Sequence, residues 1–444
     1  ESNDILSSSL KSSITDIIHL SEVENPHFKK RIANMMSTIH FMISENEKSN
    51  QNNMCVYSRV EVLDNIANML KYVPEIRTKW LNKMKDLLEQ NNFYFQAGLC
   101  CLHSAMIIMQ YLNIHNQNTY FFPYTFDFFK QITSNYFREK FYLETAETIN
   151  LDDDDLTIVH FQDQIKDAMS LFVKCKQNFL VVLLCEMLQA TFHNTHDYSS
   201  SAGLNELYGK SLQGLQKQKQ IHPLFSYFRV AFLSSSNIYD GEYVYCQPPH
   251  TKLSDFTFSI EDIYSKMVPL ATKIEIIRDP APIDRDLLKP NILYIQITSL
   301  EPYLPENLID KNEFAQNQPD YNCFYYSTPF TMSGKTRGDL IDQYHRKTII
   351  ETESFIPSMK PRTRIISVRE NILKPIDVIQ IDIAKRVLDF QLNLGVQNVD
   401  KTMLQLNLQG CIGTTVNQGP FEAARAFLEP FIAEIIGEKV PISF

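Results

Sequence analysis

Glycine is scarce in this chain, and its scarcity argues against several protein classes. Only 12 of the 444 residues are glycine, which disfavours a glycine-rich all-β design and a glycine-lined nucleotide cradle. Ser333-Gly334-Lys335-Thr336 has the end of a phosphate-binding loop, but that motif needs a glycine five residues before Gly334, where Pro329 stands. We therefore interpret this segment as the turn of a β-hairpin.

Metal-binding and disulfide patterns are also missing. The eight cysteines include no C-x-x-C pair, so we expect buried free thiols in a reducing compartment. His193 and His196 have no further ligands nearby in the sequence, and a zinc site needs them. The acidic run 152–155 lacks the alternating spacing of a calcium loop, so we interpret it as a solvated loop or a helix start. We predict no bound metal and no cofactor.

Basic residues and long apolar runs are too few for nucleic-acid or membrane binding. Lys and Arg number 42 against 52 Asp and Glu, which gives a net charge of −10 and disfavours polyanionic partners. No run reaches the roughly 18 apolar residues of a membrane span, and there is no signal peptide. We expect a cytoplasmic protein without membrane insertion. Because the chain begins at Glu1 and not at Met, we expect it to be a piece of a longer protein.

Hydrophobic periodicity changes twice along the chain and predicts an α+β protein. The N-terminal part predicts a stack of antiparallel helices, which includes residues 75–90, 96–112, 162–176 and 180–192. Residues 194–201 read as a flexible surface segment. From about Pro223, short alternating segments predict mainly antiparallel strands over 225–233, 243–245, 291–300, 323–331, 348–352 and 364–368, with a helix over 259–271. Helical periodicity returns after Lys374, with helices starting at Pro375 and near Met403.

The C-terminal helices are interrupted by Thr414-Thr415-Val416-Asn417-Gln418-Gly419-Pro420. The segment carries no acid, base, thiol or metal ligand. Its Gly-Pro pair breaks the helix and leaves one small apolar side chain, Val416, at the break. We find no nucleophile-elbow, zincin or kinase motif elsewhere. A valine beside exposed backbone suits displacement of a group from a partner's pocket, and a core valine at a helix kink is the alternative.

Several further motifs occur in a fixed order between about residues 75 and 430. They are Arg77-Thr78-Lys79-Trp80-Leu81, residues 97–112, Tyr227-Phe228-Arg229-Val230, Tyr294-Ile295-Gln296-Ile297-Thr298, Glu301-Pro302-Tyr303, Pro329-Phe330-Thr331, Gln343-Tyr344-His345-Arg346-Lys347-Thr348, residues 410–420 and Ala426-Phe427-Leu428. In this order they resemble the DOCK homology region 2 (DHR-2) of DOCK-family guanine-nucleotide exchange factors. Val416 to Pro420 and Arg337-Gly338-Asp339-Leu340 look closer to the DOCK-C branch, which acts on Rac- and Cdc-type GTPases, than to the zizimin branch.

The resemblance implies three lobes. Residues 1–222 would form a helical-repeat lobe A that makes a homodimer, residues 223–372 a lobe B of two antiparallel sheets that contacts a GTPase switch loop, and residues 373–444 a helical lobe C. In the family, lobe C continues with another long helix, whereas only sixteen residues (429–444) follow Leu428 here. We therefore expect lobe C to be truncated.

The resemblance also implies a mechanism. The protein would be a regulator that performs no covalent chemistry and promotes GDP release from Rho-family GTPases by binding their nucleotide-free state. The valine that matches Val416 projects toward the magnesium site and excludes the metal. Asn417 and Gln418 would line the contact, and Gly419 and Pro420 would fix the bend. An upstream region of the parent protein would recruit it to the plasma membrane.

Two other functions remain open from the sequence. The chain could be a non-catalytic, dimeric scaffold that binds GTPases without exchange. It could also be a helical-repeat adaptor that binds peptides. A metabolic enzyme fits least well, because no acid–base or metal cluster is evident.

Overall fold

The structure is a computed structural model of the 444-residue chain. It describes residues 12–13, 16, 43, 54–71, 73–114, 128–129, 132–133, 135, 156–194, 196–217, 225–234, 241–268, 272–280, 283–303, 321–334, 340–394, 401–412 and 425–428.

The N-terminal part is helical, as predicted, and each helix packs on the next one in sequence. The six helices are α1 (Val56–Met69), α2 (Pro74–Gln90), α3 (Tyr94–Ile114), α4 (Ile158–Lys174), α5 (Asn178–Asn194) and α6 (Tyr198–Lys217). Their buried side chains form one large core, centred on α3, whose apolar residues face neighbours on all sides. Helix α3 is therefore the axis of this part of the fold.

Local capping explains where these helices stop and start. Helix α2 begins with Pro74 in its first turn, where a missing amide hydrogen does no harm. Its end is a Schellman turn, in which Asn92 has a φ of 63° and the amide of Phe93 bonds the carbonyl of Leu88 at 2.9 Å. Helix α4 ends in the same way at Lys176, with a φ of 58°.

Helix α3 is the one helix among the described residues that is long and apolar enough to cross a membrane. Its segment Tyr94–Asn113 is 94% buried inside the molecule. Packing in the helical core accounts for its composition.

Seven strands and one helix follow. The strands are β1 (Ser226–Leu233), β2 (Gly241–Gln247), β3 (Lys273–Ile277), β4 (Ile292–Pro302), β5 (Tyr321–Thr331), β6 (Gln343–Ile356) and β7 (Arg362–Leu373). Helix α7 spans Leu253–Ser265. Among the described strands, every pairing is antiparallel except that of β3 with β4.

The strands form one connected sheet in the order β1-β2-β7-β6-β5-β4-β3, and β1 also pairs with β4. Two long strands divide it into halves. Strand β4 pairs with β1 up to Leu300 and then with β5 from Glu301. Strand β7 pairs with β2 over residues 362–364 and with β6 from Ile365. We call strands β1–β4 with residues 362–364 of β7 the inner half. Strands β5 and β6 with β7 from Ile365 are the outer half.

The inner half is covered on both faces. One face packs on α7 and on the start of α1 through a core that includes Phe228, Tyr57 and Phe256. The Phe228 and Phe256 rings stack with centroids 4.5 Å apart. The other face packs against the outer half through Val244, Phe324 and other buried residues. The sheet therefore lies between helices on one side and its own outer half on the other.

Two helices follow the sheet. Helix α8 (Pro375–Leu394) starts at the predicted proline, and α9 spans Lys401–Ile412. Residues 425–428 are also helical.

The sequence-based predictions were wrong in three places. Residues 194–201 do not form a loop throughout, because α6 begins at Tyr198. The helix predicted over 259–271 begins and ends six residues earlier, at Leu253 and Ser265. Strand β3 was missed, since its five residues form an edge that pairs parallel with β4. The acidic run 152–155 lies outside the described residues.

The turn predicted at Ser333-Gly334 is confirmed. It follows β5, and Gly334 has a φ of 73°, which glycine adopts without strain. Its amide bonds the carbonyl of Thr331 at 3.1 Å.

Candidate functional site

The five residues predicted to form the functional site lie outside the described residues. They are Val416, Asn417, Gln418, Gly419 and Pro420. The described chain reaches Ile412, at the end of α9, and resumes as helix at 425–428.

Arg362, the first residue of β7, joins the sheet to the N-terminal helices. Its guanidinium reaches α1, where Nε lies 2.6 Å from Glu61 Oε1 and Nη2 lies 2.9 Å from Oε2. Nη2 also donates to Ser58 Oγ at 3.3 Å. Nη1 donates to the hydroxyls of Tyr245 and Tyr264, at 3.0 and 2.8 Å. One side chain thus joins α1, β2, α7 and β7.

The geometry uses the full donor capacity of Arg362. A guanidinium has five N–H donors, and five hydrogen bonds are present. The Tyr243 ring adds a cation–π contact at 4.2 Å. Burial lowers the pKa of Arg362, but Tyr245 and the Glu61 carboxylate outweigh it and hold the pKa well above its usual value. The charge is therefore fixed and fully paired inside the fold.

The β6–β7 connection just before Arg362 makes further contacts with the helical part. Asn135 donates to the carbonyl of Phe355 at 3.0 Å and accepts from its amide at 3.2 Å. Lys360 Nζ lies 3.5 Å from Asp64 of α1. A cavity of about 170 Å³ lies beside these residues. Helices and sheet are therefore joined at Phe355 and Lys360 as well as at Arg362.

The edge of the outer half offers an apolar surface. Within the described part of the chain, β7 beyond Arg364 pairs only with β6. Three of its aliphatic side chains are exposed, namely Ile366, Val368 and Ile372, at 60%, 52% and 59%. Exposed apolar residues in a row on an edge strand are a common mark of a protein contact.

A polar cluster connects this half of the sheet to helix α8. Glu301 accepts a hydrogen bond from the Tyr325 hydroxyl at 2.6 Å. Lys385 of α8 lies 3.1 and 3.0 Å from the two Glu301 oxygens. Lys347 sits over the rings of Tyr303 and Tyr325, at 4.8 and 4.4 Å. Burial raises the pKa of Glu301, but Tyr325 and Lys385 outweigh it, and the net pKa lies below its ordinary value.

The described thiols and imidazoles do not form a nucleophilic site. Burial raises the pKa of Cys246 and of Cys100, and it raises that of Cys185 to about 11, so these thiols stay protonated and unreactive. His345 Nδ1 lies 2.9 Å from Ser327 Oγ on the exposed sheet. Burial lowers the pKa of His345.

Family comparisons match the chain in three successive segments. A model of DHR-2, Lobe A matches residues 61–217, one of DHR-2, Lobe B matches residues 280–355, and one of DHR-2, Lobe C matches residues 391–437. The chain therefore belongs to the DOCK family and carries its DHR-2 region, as the motifs indicated. The branch within the family is not resolved.

Curated relatives agree over most of the chain. It is 28% identical to human Dedicator of cytokinesis protein 8 over 384 residues, which are 84% of this chain and 18% of that protein. It is 28% identical to human Dedicator of cytokinesis protein 7 over 440 residues, 96% of this chain and 20% of the relative. It is 28% identical to Dedicator of cytokinesis protein 11 of Danio rerio over 377 residues, which are 82% of this chain and 18% of that protein. The chain spans about a fifth of the length of these relatives.

Sequence reasoning missed Arg362, Glu61 and Lys385. Glu301 and Lys347 stood inside family-like motifs, but no role could be assigned to them. An isolated arginine or lysine carries no local signal of its partner, since Arg362 and Glu61 lie 301 positions apart. The strand predicted over 364–368 did not include Arg362, which begins β7 in the structure.

Proposed function

We propose that the chain is a guanine-nucleotide exchange factor for Rho-family small GTPases of the Rac or Cdc type. The observation that carries the proposal is the match of all three DHR-2 lobes, in order, on one chain. An exchange factor acts by binding the nucleotide-free GTPase more tightly than the loaded one, because only a difference in affinity shifts the equilibrium.

The sheet would supply the main GTPase contact. The exposed Ile366, Val368 and Ile372 on β7 are the apolar surface on offer to a switch loop. Within the described chain, this part of β7 pairs with β6 alone. The backbone N–H and C=O groups on its other side could therefore pair with a strand of the partner. Arg362 supports this choice, since it fixes the start of the same strand on α1 and α7.

Val416 would be the nucleotide sensor. Its aliphatic side chain would enter the magnesium site of the GTPase and exclude the ion without offering it a ligand. Removing a divalent cation leaves the nucleotide phosphates uncompensated, and each charge pair at 4 Å contributes about 1 kcal/mol even at high dielectric. Asn417 and Gln418 would line the contact, and Gly419 and Pro420 would hold the bend. If so, raised magnesium should slow exchange by Val416→Ala more than exchange by the wild type.

Each of the three lobes would have its own role in exchange. Residues 1–222 would form lobe A and dimerise, 223–372 would form lobe B, and 373–444 would form lobe C. We propose a cytoplasmic protein that is recruited to the plasma membrane through other parts of its parent chain. Size-exclusion chromatography with light scattering tests the dimer, and a monomer at micromolar concentration would contradict it.

The exchange function is tested by nucleotide release. A panel of Rac- and Cdc-type GTPases loaded with a fluorescent GDP is mixed with the chain and excess unlabelled GDP. We expect faster release from at least one GTPase. Capture of nucleotide-free GTPase without faster release would favour the non-catalytic scaffold. Absence of both binding and release would refute the proposal.

The contact surface is tested with Val368→Asp. A carboxylate on the β7 edge should raise the KM for the GTPase about tenfold or more, because an apolar contact then buries a charge. Val159→Asp is the matched control, since Val159 is 57% exposed on α4. Equal KM values for both variants would remove β7 from the interface.

A further inference from the structure

The ion pair between Lys385 and Glu301 joins helix α8 to the sheet. Lys385 Nζ lies 3.1 and 3.0 Å from the two oxygens of Glu301. Glu301 belongs to the last residues of β4, where that strand crosses from the inner to the outer half of the sheet. The ammonium therefore bridges both carboxylate oxygens at the junction of the two halves.

The Glu301 carboxylate is also held by side chains of the sheet itself. The Tyr325 hydroxyl donates to Glu301 Oε2 at 2.6 Å, and a charge-assisted bond of this length is a strong one. Lys347 packs on the rings of Tyr303 and Tyr325 at 4.8 and 4.4 Å, which restrains both tyrosines. Side chains of β4, β5 and β6 thus prearrange the acceptor for Lys385.

Apolar packing fixes α8 much less firmly. Among the described α8 side chains, only Pro375 at its start is buried, and Val378, Ile379 and Ile383 are half-buried. Ile381, Val387 and Leu394 are exposed at 48%, 49% and 58%. A helix is normally oriented by a buried apolar face. Because α8 has little of one, the Glu301–Lys385 contact contributes more to its orientation than an ion pair does in a well-packed helix.

We propose that Glu301 and Lys385 are positioning residues for nucleotide exchange. Their contact holds α8 at one orientation on the sheet, and α8 packs on α9, the last described helix before the proposed sensor residue Val416. The inference rests on the proposed exchange function. Neither residue touches the nucleotide, and both act through the orientation of α8 and of α9, which packs on it.

The size of the effect follows from the exposure of the pair. Both side chains are about half exposed, at 57% and 54%. An exposed ion pair shifts an equilibrium by a factor of about two to five. Loss of the contact should therefore leave the fold intact and lower the fraction of molecules with α8 in the productive orientation.

The kinetic test compares Glu301→Gln, Lys385→Gln, the double variant and Lys385→Arg. The single variants should lower the kcat of GDP release about two- to fivefold with little change in KM for the GTPase. The double variant should be no slower than either single variant, because both remove one contact. Lys385→Arg keeps the charge and should retain the wild-type rate. Lys266→Gln is the control, since Lys266 pairs with Asp262 at 2.6 Å on α7 and should change nothing.

A structural readout tests the same contact without relying on exchange. Amide hydrogen exchange across Pro375–Leu394 should be faster in Glu301→Gln and Lys385→Gln than in wild type and Lys266→Gln, while α3 stays unchanged. If the wild type releases no GDP, the proposed function fails and this readout still tests the contact. Unchanged α8 protection in both variants, or additive kinetic losses in the double variant, would overturn the inference.

Discussion

Arg362 and Glu61 meet in a two-point ion pair although 301 positions separate them in the chain, with Nε–Oε1 and Nη2–Oε2 distances of 2.6 and 2.9 Å. The Arg362 side chain is 6% exposed. The pair fastens the start of β7 to helix α1, and β7 leads after one residue, Lys374, into α8. The strand that carries the proposed GTPase surface is therefore anchored at one end on the helical part of the molecule.

Arg362→Ala should be strongly destabilising. Removal of the guanidinium leaves the Glu61 carboxylate and two buried tyrosine hydroxyls without their shared partner, and breaking a buried pair reduces the free energy of unfolding by about 3–5 kcal/mol. Urea denaturation followed by tyrosine fluorescence measures the change. Arg386→Ala is the control, because Arg386 pairs with Asp382 of its own helix at 3.0 Å and is 38% exposed. Equal losses in both variants would show that Arg362 is not the anchor.

Gly98 should not tolerate alanine. A Cβ at this position of α3 would lie 2.7 Å from the Phe172 ring of α4, and forcing an extra methyl into a packed core destabilises by about 1–3 kcal/mol. Gly203→Ala, on α6, has nothing within 4 Å of the added atom and should stabilise by about 0.5–1 kcal/mol through helix propensity. Thermal denaturation of the two variants gives opposite shifts in Tm, and shifts of the same sign would contradict the α3–α4 packing.

Lys176→Gly should stabilise the chain. Lys176 follows α4 with a φ of 58°, a left-handed conformation that is unfavourable for a lysine and suits a glycine at the same position of a Schellman turn. The gain should be about 1 kcal/mol, read as a higher urea midpoint. Lys217→Gly, at the end of α6, is a same-type control for which we expect no gain. A lower midpoint for Lys176→Gly would contradict the assigned turn.

His345 should make stability depend on pH. Burial lowers its pKa in the folded state, whereas the unfolded residue titrates near about 6.5. Below that pH the unfolded chain binds a proton that the folded chain does not bind, so stability is lost as the pH falls. Urea midpoints at about pH 7.5 and about pH 5.5 should differ less in His345→Gln than in wild type. The same pH dependence in both proteins would show that His345 does not contribute.

Much of the fold could be predicted from the sequence because periodicity is local. The apolar face of α2, the all-round apolar α3 and the alternating residues of β4 each have a pattern of fixed period. The five-residue β3 was missed because a short parallel edge strand has too few residues for such a pattern. The start of α6 at Tyr198 was missed since its Ser-rich first turn resembles a loop.

The candidate site was harder to predict for the same physical reason. The site proposed around Val416 stays a prediction, and it could be made from neighbouring residues because Gly419 and Pro420 act on the backbone directly. The long-range polar contacts could not be predicted, since the fold joins Glu301 with Lys385 and Glu61 with Arg362 over 84 and 301 positions. Long-range polar pairs leave no trace in local sequence.

The rate of GDP release with Val416→Ala tests directly whether Val416 is the nucleotide sensor of an exchange factor. A fluorescent-GDP complex of the responsive Rac- or Cdc-type GTPase is mixed with wild type, Val416→Ala and Val159→Ala, the last with the same substitution at an exposed position of α4. We expect wild type and Val159→Ala to accelerate release equally and Val416→Ala to be at least about tenfold slower while it still binds the GTPase. Release by Val416→Ala at the wild-type rate would contradict this expectation.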